Sequence, residues 1–275
     1  MEEVNFLHIS DTHLCFEENR QPICSSPQRV ERVYAAAAAL DQKPAFVLIT
    51  GDFVHEGDAA AYAAARLFVQ TMEQRYGLPT YVALGNHDRH DAFYRGFCET
   101  PAHSGPYYYK IKMPGLRLLV LDSAVDDQVL GRLDTEQLQW LEEQLEKGCT
   151  TPTVVALHHP PCGTTVHATN GNNLQQPDLF QHILERYPVK AVLAGHKHFA
   201  TAAMLPGGTP AYTGAGVAFA IDMPQGGALN FVDGLQAQFC AVYDNEFYWS
   251  PFCLDERTVL GRMTPRQMRE YHAEK

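Results

Sequence analysis

The chain has 275 residues, of which 45% are apolar and 19% charged, and its formal net charge at pH 7 is −11. This composition excludes a disordered or fibrous chain, and no apolar run approaches the about 20 residues that a membrane-spanning helix needs. An acidic chain without a basic cluster also disfavours nucleic-acid polymers and anionic membranes as partners.

The cysteines and the first residues indicate where the protein works. The seven cysteines are scattered, and no two of them form a CxxC pair. The chain begins with acidic residues, whereas a signal peptide begins with a basic stretch and continues with an apolar one. We therefore expect reduced thiols and a cytoplasmic protein.

Predicted strands and helices alternate along most of the chain, which is typical of an α/β protein. The predicted strands are short apolar runs, at 4–10, 45–50, 80–84, 107–112, 116–122, 153–157 and 189–194. Helices are predicted after the capping residues Ser26, Asp58 and Asp134, and over 178–186. Gln137, three residues after Asp134, completes the pattern of a capping box.

The last third of the chain has more predicted strands and an aromatic cluster. Residues 209–242 contain several predicted strands separated by glycine-rich turns. Residues 243–275 form a predicted C-terminal extension, whose aromatic residues at 247–249 would pack on the domain or on a partner subunit. Because we find no linker and no repeat, we predict a single domain over 1–275, and a homodimer is left open.

Polar motifs follow five of the predicted strands. They are Asp11-Thr12-His13, Gly51-Asp52, Gly85-Asn86-His87-Asp88, His158-His159-Pro160-Pro161 and Gly195-His196-Lys197-His198. In an open α/β sheet, ligands bind just beyond the carboxyl ends of the strands, so we expect the five motifs to meet at one site.

Carboxylate, imidazole and amide groups in these motifs are typical metal ligands. The seven candidates are Asp11, His13, Asp52, Asn86, His158, His196 and His198. They are too many for one tetrahedral zinc ion and suit two divalent ions that share a bridging carboxylate. Mixed ligands of this kind fit Mn²⁺, Fe²⁺ or Zn²⁺, and the sequence does not choose among these metals.

The motifs D-x-H, G-D, G-N-H-D, H-x-P and G-H-x-H, in that order over residues 11–198, resemble those of the calcineurin-like metallophosphoesterase superfamily. Their spacing is most similar to the bacterial class III cyclic-nucleotide phosphodiesterase and glycerophosphodiesterase branch. The resemblance implies a four-layer α/β/β/α sandwich of two mixed sheets flanked by helices, in which the last third of the chain supplies the second sheet.

The resemblance also assigns roles to single residues. It implies one ion held by Asp11, His13, Asp52 and His198, and a second ion held by Asp52, Asn86, His158 and His196. It implies attack on phosphorus by a hydroxide that bridges the two ions. His87 would protonate or position the leaving oxygen, and Asp88 would orient the His87 ring. His55 stands where purple acid phosphatases carry a tyrosine ligand, which disfavours a tyrosinate-bound ferric site.

A long polar loop over 161–177 follows directly after the His158 motif. Loops of this length within a compact domain are often functional. We therefore predict that it forms one wall of the substrate pocket. Candidate contacts, together with Asn86 and His87, are His167, Asn170, Asn172 and Asn173. The alternative is a solvated surface loop.

These observations favour a metal-dependent phosphodiesterase that hydrolyses a small anionic phosphoester, such as 3′,5′-cyclic AMP or a glycerophosphodiester. A phosphomonoesterase or a broad-specificity phosphatase is the first alternative. A nuclease is disfavoured because the chain lacks a basic stripe. A non-catalytic scaffold is disfavoured because all seven candidate ligands are present.

Overall fold

The computed structural model describes residues 3–17, 25–148, 150–223, 226 and 228–254. The α-helices within these ranges are α1 (Pro27–Ala38), α2 (Ala59–Tyr76), α3 (His90–Gly96), α4 (Thr135–Glu146) and α5 (Pro177–Glu185). The strands are β1 (Val4–Ile9), β2 (Val47–Thr50), β3 (Thr80–Ala83), β4 (Tyr109–Met113), β5 (Leu116–Val120), β6 (Thr153–Ala156), β7 (Val189–Ala194), β8 (Thr201–Met204), β9 (Pro210–Thr213), β10 (Ala220–Ile221), β11 (Phe231–Val232), β12 (Gln236–Tyr243) and β13 (Glu246–Cys253).

The strands form two large mixed sheets and one small ribbon. The first sheet has the order β13-β12-β1-β2-β3, and the second has the order β4-β5-β6-β7-β9-β8. Strands β1, β2 and β3 are parallel to one another, as are β5, β6, β7 and β9. The expectation that the last third supplies the second sheet is wrong in part, because β12 pairs with β1 in the first sheet. Among the described strands of this third, β8 and β9 extend the second sheet.

Alternating side chains of the sheets create three apolar layers. On β1, Phe6 packs between the two sheets, whereas Leu7 packs against helices α1–α3. On β5, Leu118 faces the space between the sheets and Leu119 faces helices α4 and α5. Because neighbouring residues of a strand point to opposite faces, one apolar strand serves two layers. The expected four-layer α/β/β/α sandwich is confirmed.

Three helices begin as the sequence predicts. The side chains of Ser26, Asp58 and Asp134 each accept a hydrogen bond from the backbone N–H three residues later. The expected capping box at α4 is wrong, because the Gln137 amide exchanges two hydrogen bonds with the backbone of Asp122 instead. Gln137 therefore connects α4 to the end of β5.

The aromatic cluster expected in the C-terminal extension lies on strand β13, which pairs with β12 along its whole length. Phe247 and Trp249 pack against the layer between the sheets, and Tyr248 stacks on Tyr243 with ring centroids 4.2 Å apart. The first part of the 243–275 segment is therefore an edge strand of the first sheet. The part beyond Leu254 lies outside the described residues. Among the described helices, none has the length and apolar character that crossing a membrane requires.

Candidate metal centre

The five motifs meet where the carboxyl ends of parallel strands from both sheets come together. Asp11, Asp52 and Asn86 follow β1, β2 and β3 of the first sheet, and His158 and His196 follow β6 and β7 of the second. One ligand atom from each member of the first expected set lies within 4.8 Å of the others, in the group Asp11, His13, Asp52 and His198. The two sheets therefore build one site.

The backbone of this site is held in an unusual conformation. Five candidate ligands have positive φ angles, between 39° and 71°: Asp11, His13, Asp52, His196 and His198. Such a conformation costs a residue other than glycine about 1–3 kcal/mol and persists where the surrounding structure enforces it. At Gly85, a Cβ atom would lie 2.3 Å from the backbone nitrogen of Asp52, so the glycine permits this close approach. Strain and tight backbone contacts thus concentrate at the candidate ligands.

The first expected ligand set is buried and compact. Asp11 Oδ1 lies 3.3 Å from Nε2 of His198, and Asp52 Oδ2 lies 3.6 Å from Nε2 of His13. Nε2 of His13 is buried and makes no hydrogen bond to the described residues. A buried ring nitrogen that faces a carboxylate but forms no hydrogen bond is a suitable metal ligand. These four residues therefore fit a divalent cation.

The second expected set adjoins the first through Asp52. Asn86 Oδ1 lies 3.1 Å from Nε2 of His158, which in turn lies 3.4 Å from Oδ2 of Asp52. The ring of His196 is 5.0 Å from that of His158, measured between centroids. Oδ2 of Asp52 is therefore close to one histidine of each set, which is the position that a bridging carboxylate requires.

Contacts outside the cluster orient its histidines. Nδ1 of His158 donates to the carbonyl oxygen of Thr50 over 2.8 Å, and Nδ1 of His198 donates to that of Phe219 over 3.2 Å. A histidine that donates through one ring nitrogen offers the other as a ligand. Both rings therefore present Nε2 to the carboxylates.

The ionisable groups of the cluster shift one another's pKa values. Burial lowers the pKa of His158, but the neighbouring carboxylate of Asp52 outweighs burial and raises it to about 9. Burial opposes ionisation of Asp52, yet His158 and His13 hold the pKa of that carboxyl well below its usual value. The cluster thus keeps Asp52 ionised, and a metal ion held at Nε2 of His158 would take the place of a proton.

His87 lies at the open side of the cluster. Its backbone N–H donates to Oδ1 of Asp52 over 2.9 Å, while its side chain is 30% exposed. Its ring meets the ring of His13 edge-on at 4.9 Å, and its Nδ1 lies 3.5 Å from a carboxylate oxygen of Glu56. The backbone is therefore tied to the candidate metal ligand, and the ring reaches solvent.

Asp88 does not contact the ring of His87, and the expectation that it orients this ring is wrong. Its buried carboxylate accepts hydrogen bonds from three backbone N–H groups and one hydroxyl, those of Phe53, Val54, Gly85 and Tyr62. Burial and the nearby Asp52 raise the pKa of Asp88 to about 6. Asp88 therefore holds the loop after β2 to the turn after β3.

The loop over 161–177 closes mainly on itself. The Asn170 side chain bonds to Thr164, and Asn173 donates to the carbonyl oxygen of Cys162. The side chains of His167 and Asn172 are exposed. Their contact with substrate stays a prediction.

Sequence reasoning missed several residues around the cluster. A cleft beside it is lined by Glu56, Asn86, His87, Asp88, Arg89, Asp127, Gln128 and Val129. Residues 127–129 of this wall carry no motif that would have revealed them. His55 was noticed only because it stands in place of a tyrosine ligand, yet its Nδ1 lies 3.0 Å from Nδ1 of His13. The ring nitrogens of His159 contact Ser123 and the carbonyl oxygen of Val129, and one of them also lies within 4.8 Å of ring nitrogens of His158 and His196.

Known proteins share these features. The family described as calcineurin-like phosphoesterase matches residues 4–200. A cAMP/cGMP dual specificity phosphodiesterase from Mycobacterium tuberculosis is 30% identical over 204 residues, 73% of this chain and 64% of that protein. A probable glycerophosphodiester phosphodiesterase from Arcobacter nitrofigilis is 31% identical over 163 residues, 58% of each chain. This chain thus spans less than two thirds of the length of these two relatives.

The fold has a counterpart among solved structures. The crystal structure of a dimetal phosphatase from Danio rerio superposes with a TM-score of 0.66 and 14% identity, over 92% of this chain and 97% of that chain. At this identity the similarity concerns the fold. Since the family match extends over most of the sequence, the protein belongs to the calcineurin-like phosphoesterase family.

Proposed function

We propose that the protein is a phosphodiesterase that holds two divalent metal ions and hydrolyses a small phosphodiester, such as a 3′,5′-cyclic nucleotide or a glycerophosphodiester. Members of this family use divalent metal ions and hydrolyse phosphoric esters. The observation that carries the proposal is the position of Asp52, whose Oδ2 lies near His13 on one side and His158 on the other. Two adjacent cation sites sharing one carboxylate are the arrangement that phosphoester hydrolysis employs.

In this proposal, the residues divide between two sites as the resemblance implies. Asp11, His13, Asp52 and His198 would hold one ion, and Asp52, Asn86, His158 and His196 the other. Two such ions would neutralise phosphoryl oxygens and lower the pKa of a water molecule, which would supply the nucleophile. Manganese, iron and zinc all suit these ligands.

His87 would serve the leaving group. Its backbone is anchored to Asp52 and its ring lines the cleft beside the cluster. A histidine at this place can give a proton to the departing oxygen or hold it by a hydrogen bond. A carboxylate oxygen of Glu56 lies 3.5 Å from Nδ1 of this ring.

The cleft of about 260 Å³ beside His87 would take the rest of the substrate. Among the lining residues that the structure describes, Arg89 alone carries a guanidinium, and it is paired with Asp127 at 2.7 Å. Glu56 adds a second exposed carboxylate to the walls. A lining with more carboxylates than cations favours a neutral alcohol group and disfavours a long polyanion. This supports a small diester rather than a nucleic acid.

Hydrolysis assays separate this proposal from a phosphomonoesterase. The protein supplied with Mn²⁺ should hydrolyse a bis-aryl phosphate faster than a mono-aryl phosphate, and cyclic nucleotides and glycerophosphodiesters should follow the diester. A preference for the mono-aryl ester would favour the phosphomonoesterase.

Two variants test the site itself. Asp52→Ala removes the shared carboxylate and Asn86→Ala an amide ligand, so both should lose at least about 100-fold in kcat/KM, the low end of the effect of a positioned catalytic group. Asp41→Ala, at an exposed carboxylate, is the control and should keep full activity. Full activity of Asp52→Ala would contradict the two-metal mechanism.

The 161–177 loop is proposed as a further wall of the substrate site. Shortening it should raise KM for some diesters more than for others, and unchanged KM values across several diesters would count against this role.

We also propose one domain over 1–275 that works in the cytoplasm. Light scattering of the full chain decides between monomer and homodimer.

A further inference from the structure

The ring of His55 lies between two histidines of the candidate centre. Its Nδ1 is 3.0 Å from Nδ1 of His13, and its ring stacks on His87 with centroids 4.9 Å apart and planes 21° apart. His55 is half-buried, whereas His13 is buried. Neither the resemblance nor the family match gives His55 a role.

The backbone around His55 is attached to both neighbours. The His55 N–H donates to the carbonyl oxygen of Leu14 over 3.2 Å, next to His13 in the chain. The Glu56 N–H donates to the carbonyl oxygen of His87 over 3.0 Å. These two hydrogen bonds hold the backbone at His55 beside the segments that carry His13 and His87. The backbone therefore keeps the His55 ring close to the His13 ring.

The position of the proton on the His13 ring decides which of the two rings donates this hydrogen bond. Nε2 of His13 faces Oδ2 of Asp52 and has no hydrogen-bond partner among the described residues. If Nε2 binds a metal ion, it carries no proton, and the proton of the neutral ring lies on Nδ1. His13 Nδ1 then donates, and Nδ1 of His55 is the acceptor in reach.

We propose that His55 is a positioning residue of the metal centre: its Nδ1 accepts the hydrogen bond of His13 Nδ1–H and thereby directs Nε2 of His13 to the first metal ion. This inference rests on the two-metal function proposed above. It gives His55 the part that the carbonyl oxygens of Thr50 and Phe219 take for His158 and His198. Three of the four histidine ligands then have an oriented ring.

A different reading makes His55 a ligand of a further ion, since nitrogens of His13, His55 and His87 lie within 4.8 Å of one another. That reading requires Nδ1 of His13 to bind a metal while Nε2 binds another, so the ring would lose both protons. We therefore favour the hydrogen bond, and the experiment below separates the two readings.

The test compares variants of His55 in the full-length protein. In His55→Asn the side-chain oxygen takes the place of Nδ1 and can accept the bond, whereas His55→Leu and His55→Gln place no acceptor there. Titration with Mn²⁺ measures the affinity and number of bound ions. His55→Leu and His55→Gln should bind one of the two ions about 10–100-fold more weakly, as loss of such a partner does. His55→Asn should stay close to the wild type.

His182→Leu, at a histidine 73% exposed on α5, should bind Mn²⁺ as the wild type does. Circular dichroism identifies any variant that does not fold, and His55→Gln replaces His55→Leu in that case. Equal affinities for all His55 variants and the wild type would overturn the inference. Equal losses in all three variants, His55→Asn included, would overturn it in favour of a ligand role. A wild type that binds two Mn²⁺ ions but hydrolyses no phosphoester would overturn the proposed function alone.

Discussion

The hydroxyl of Tyr62 donates to Oδ1 of Asp88 over 2.7 Å and accepts the backbone N–H of Arg89 over 3.0 Å. Both residues that it binds belong to the turn after β3, which carries Asn86. Helix α2 therefore holds that turn through the buried hydroxyl of Tyr62.

Removal of this hydroxyl should weaken the support of the metal centre. In Tyr62→Phe, the buried Asp88 carboxylate and the Arg89 N–H each lose a partner, so the free energy of unfolding should fall by about 1–3 kcal/mol. Urea unfolding of the metal-free protein measures the change.

Tyr76→Phe on the same helix is the matched control. The Tyr76 hydroxyl bonds to Glu31 over 3.0 Å and is only partly buried, so its removal should cost less. Equal losses in the two variants would show that Tyr62 gives the Asp88 turn no special support.

Lys197, in the last of the five polar motifs, holds the 161–177 loop in place. Its Nζ donates to the carbonyl oxygens of Thr169 over 2.7 Å and of Asn172 over 3.0 Å. Lys197→Met leaves both carbonyls without this donor, so amide hydrogen exchange within the loop should become faster while Mn²⁺ still binds. Hydrogen exchange with mass spectrometry makes the measurement. Lys190→Met, on β7 and paired with Glu246 at 3.7 Å, should leave the loop unchanged. Unaltered exchange in Lys197→Met would contradict the anchoring role.

His90 should make stability depend on pH in the alkaline range. Burial lowers the pKa of its imidazole, but hydrogen bonds and charge interactions with Asp122 and Asp126, at 2.8 Å and 2.6 Å, outweigh burial and raise it to about 9. Because the folded pKa exceeds the unfolded value, the contribution is complete below pH 6.5 and is lost as the pH rises through about 9. It amounts to at most about 3 kcal/mol, at 1.36 kcal/mol per pKa unit.

The comparison of wild type with His90→Gln checks this dependence. The difference in their free energies of unfolding should be largest near pH 6 and should shrink towards pH 9, as measured by urea unfolding at several pH values. His182→Gln, at an exposed histidine, is the control and should show no such trend. A difference that grows with pH would contradict the assigned ion pairs.

Removal of metal ions should lower the thermal stability. Asp11 and Asp52 are 0% and 2% exposed, so a cation that binds them stabilises the folded state. Restoring free Mn²⁺ to 100 times its dissociation constant should regain about 2.7 kcal/mol, visible as a higher Tm. Asn86→Ala should reduce this gain and leave the Tm of the chelated protein nearly unchanged. A Tm and an activity that chelation does not alter would contradict a resident metal centre.

Much of the architecture was predictable because its causes are local. Ser26, Asp58 and Asp134 cap their own helices through groups three residues away, and such spacing is visible in sequence. Short apolar runs likewise marked the parallel strands. The capping box at Gln137 failed because a tertiary partner, the backbone of Asp122, competes for its amide.

Roles that depend on distant partners were not predictable. From the sequence, Asp88 was expected to orient the adjacent His87. Its carboxylate instead accepts hydrogen bonds from the loop after β2 and from α2. The last third appeared to form the second sheet, yet Cys240 pairs with Phe6 in the first. No spacing within one segment reveals which strand will lie beside it.

The sequence by itself determined the family, the candidate ligands and their order, because ligand chemistry resides in residue type and each motif follows its own strand. Only the tertiary structure decided that Asp52 stands between the two histidine sets, that Asp88 supports the backbone and that His55 faces His13. The contact of Asp52 with His158 joins the two sheets, and the others join loops that follow neighbouring strands of the first sheet. All of them join residues dozens of positions apart. They exist only once the strands have paired and the layers have packed.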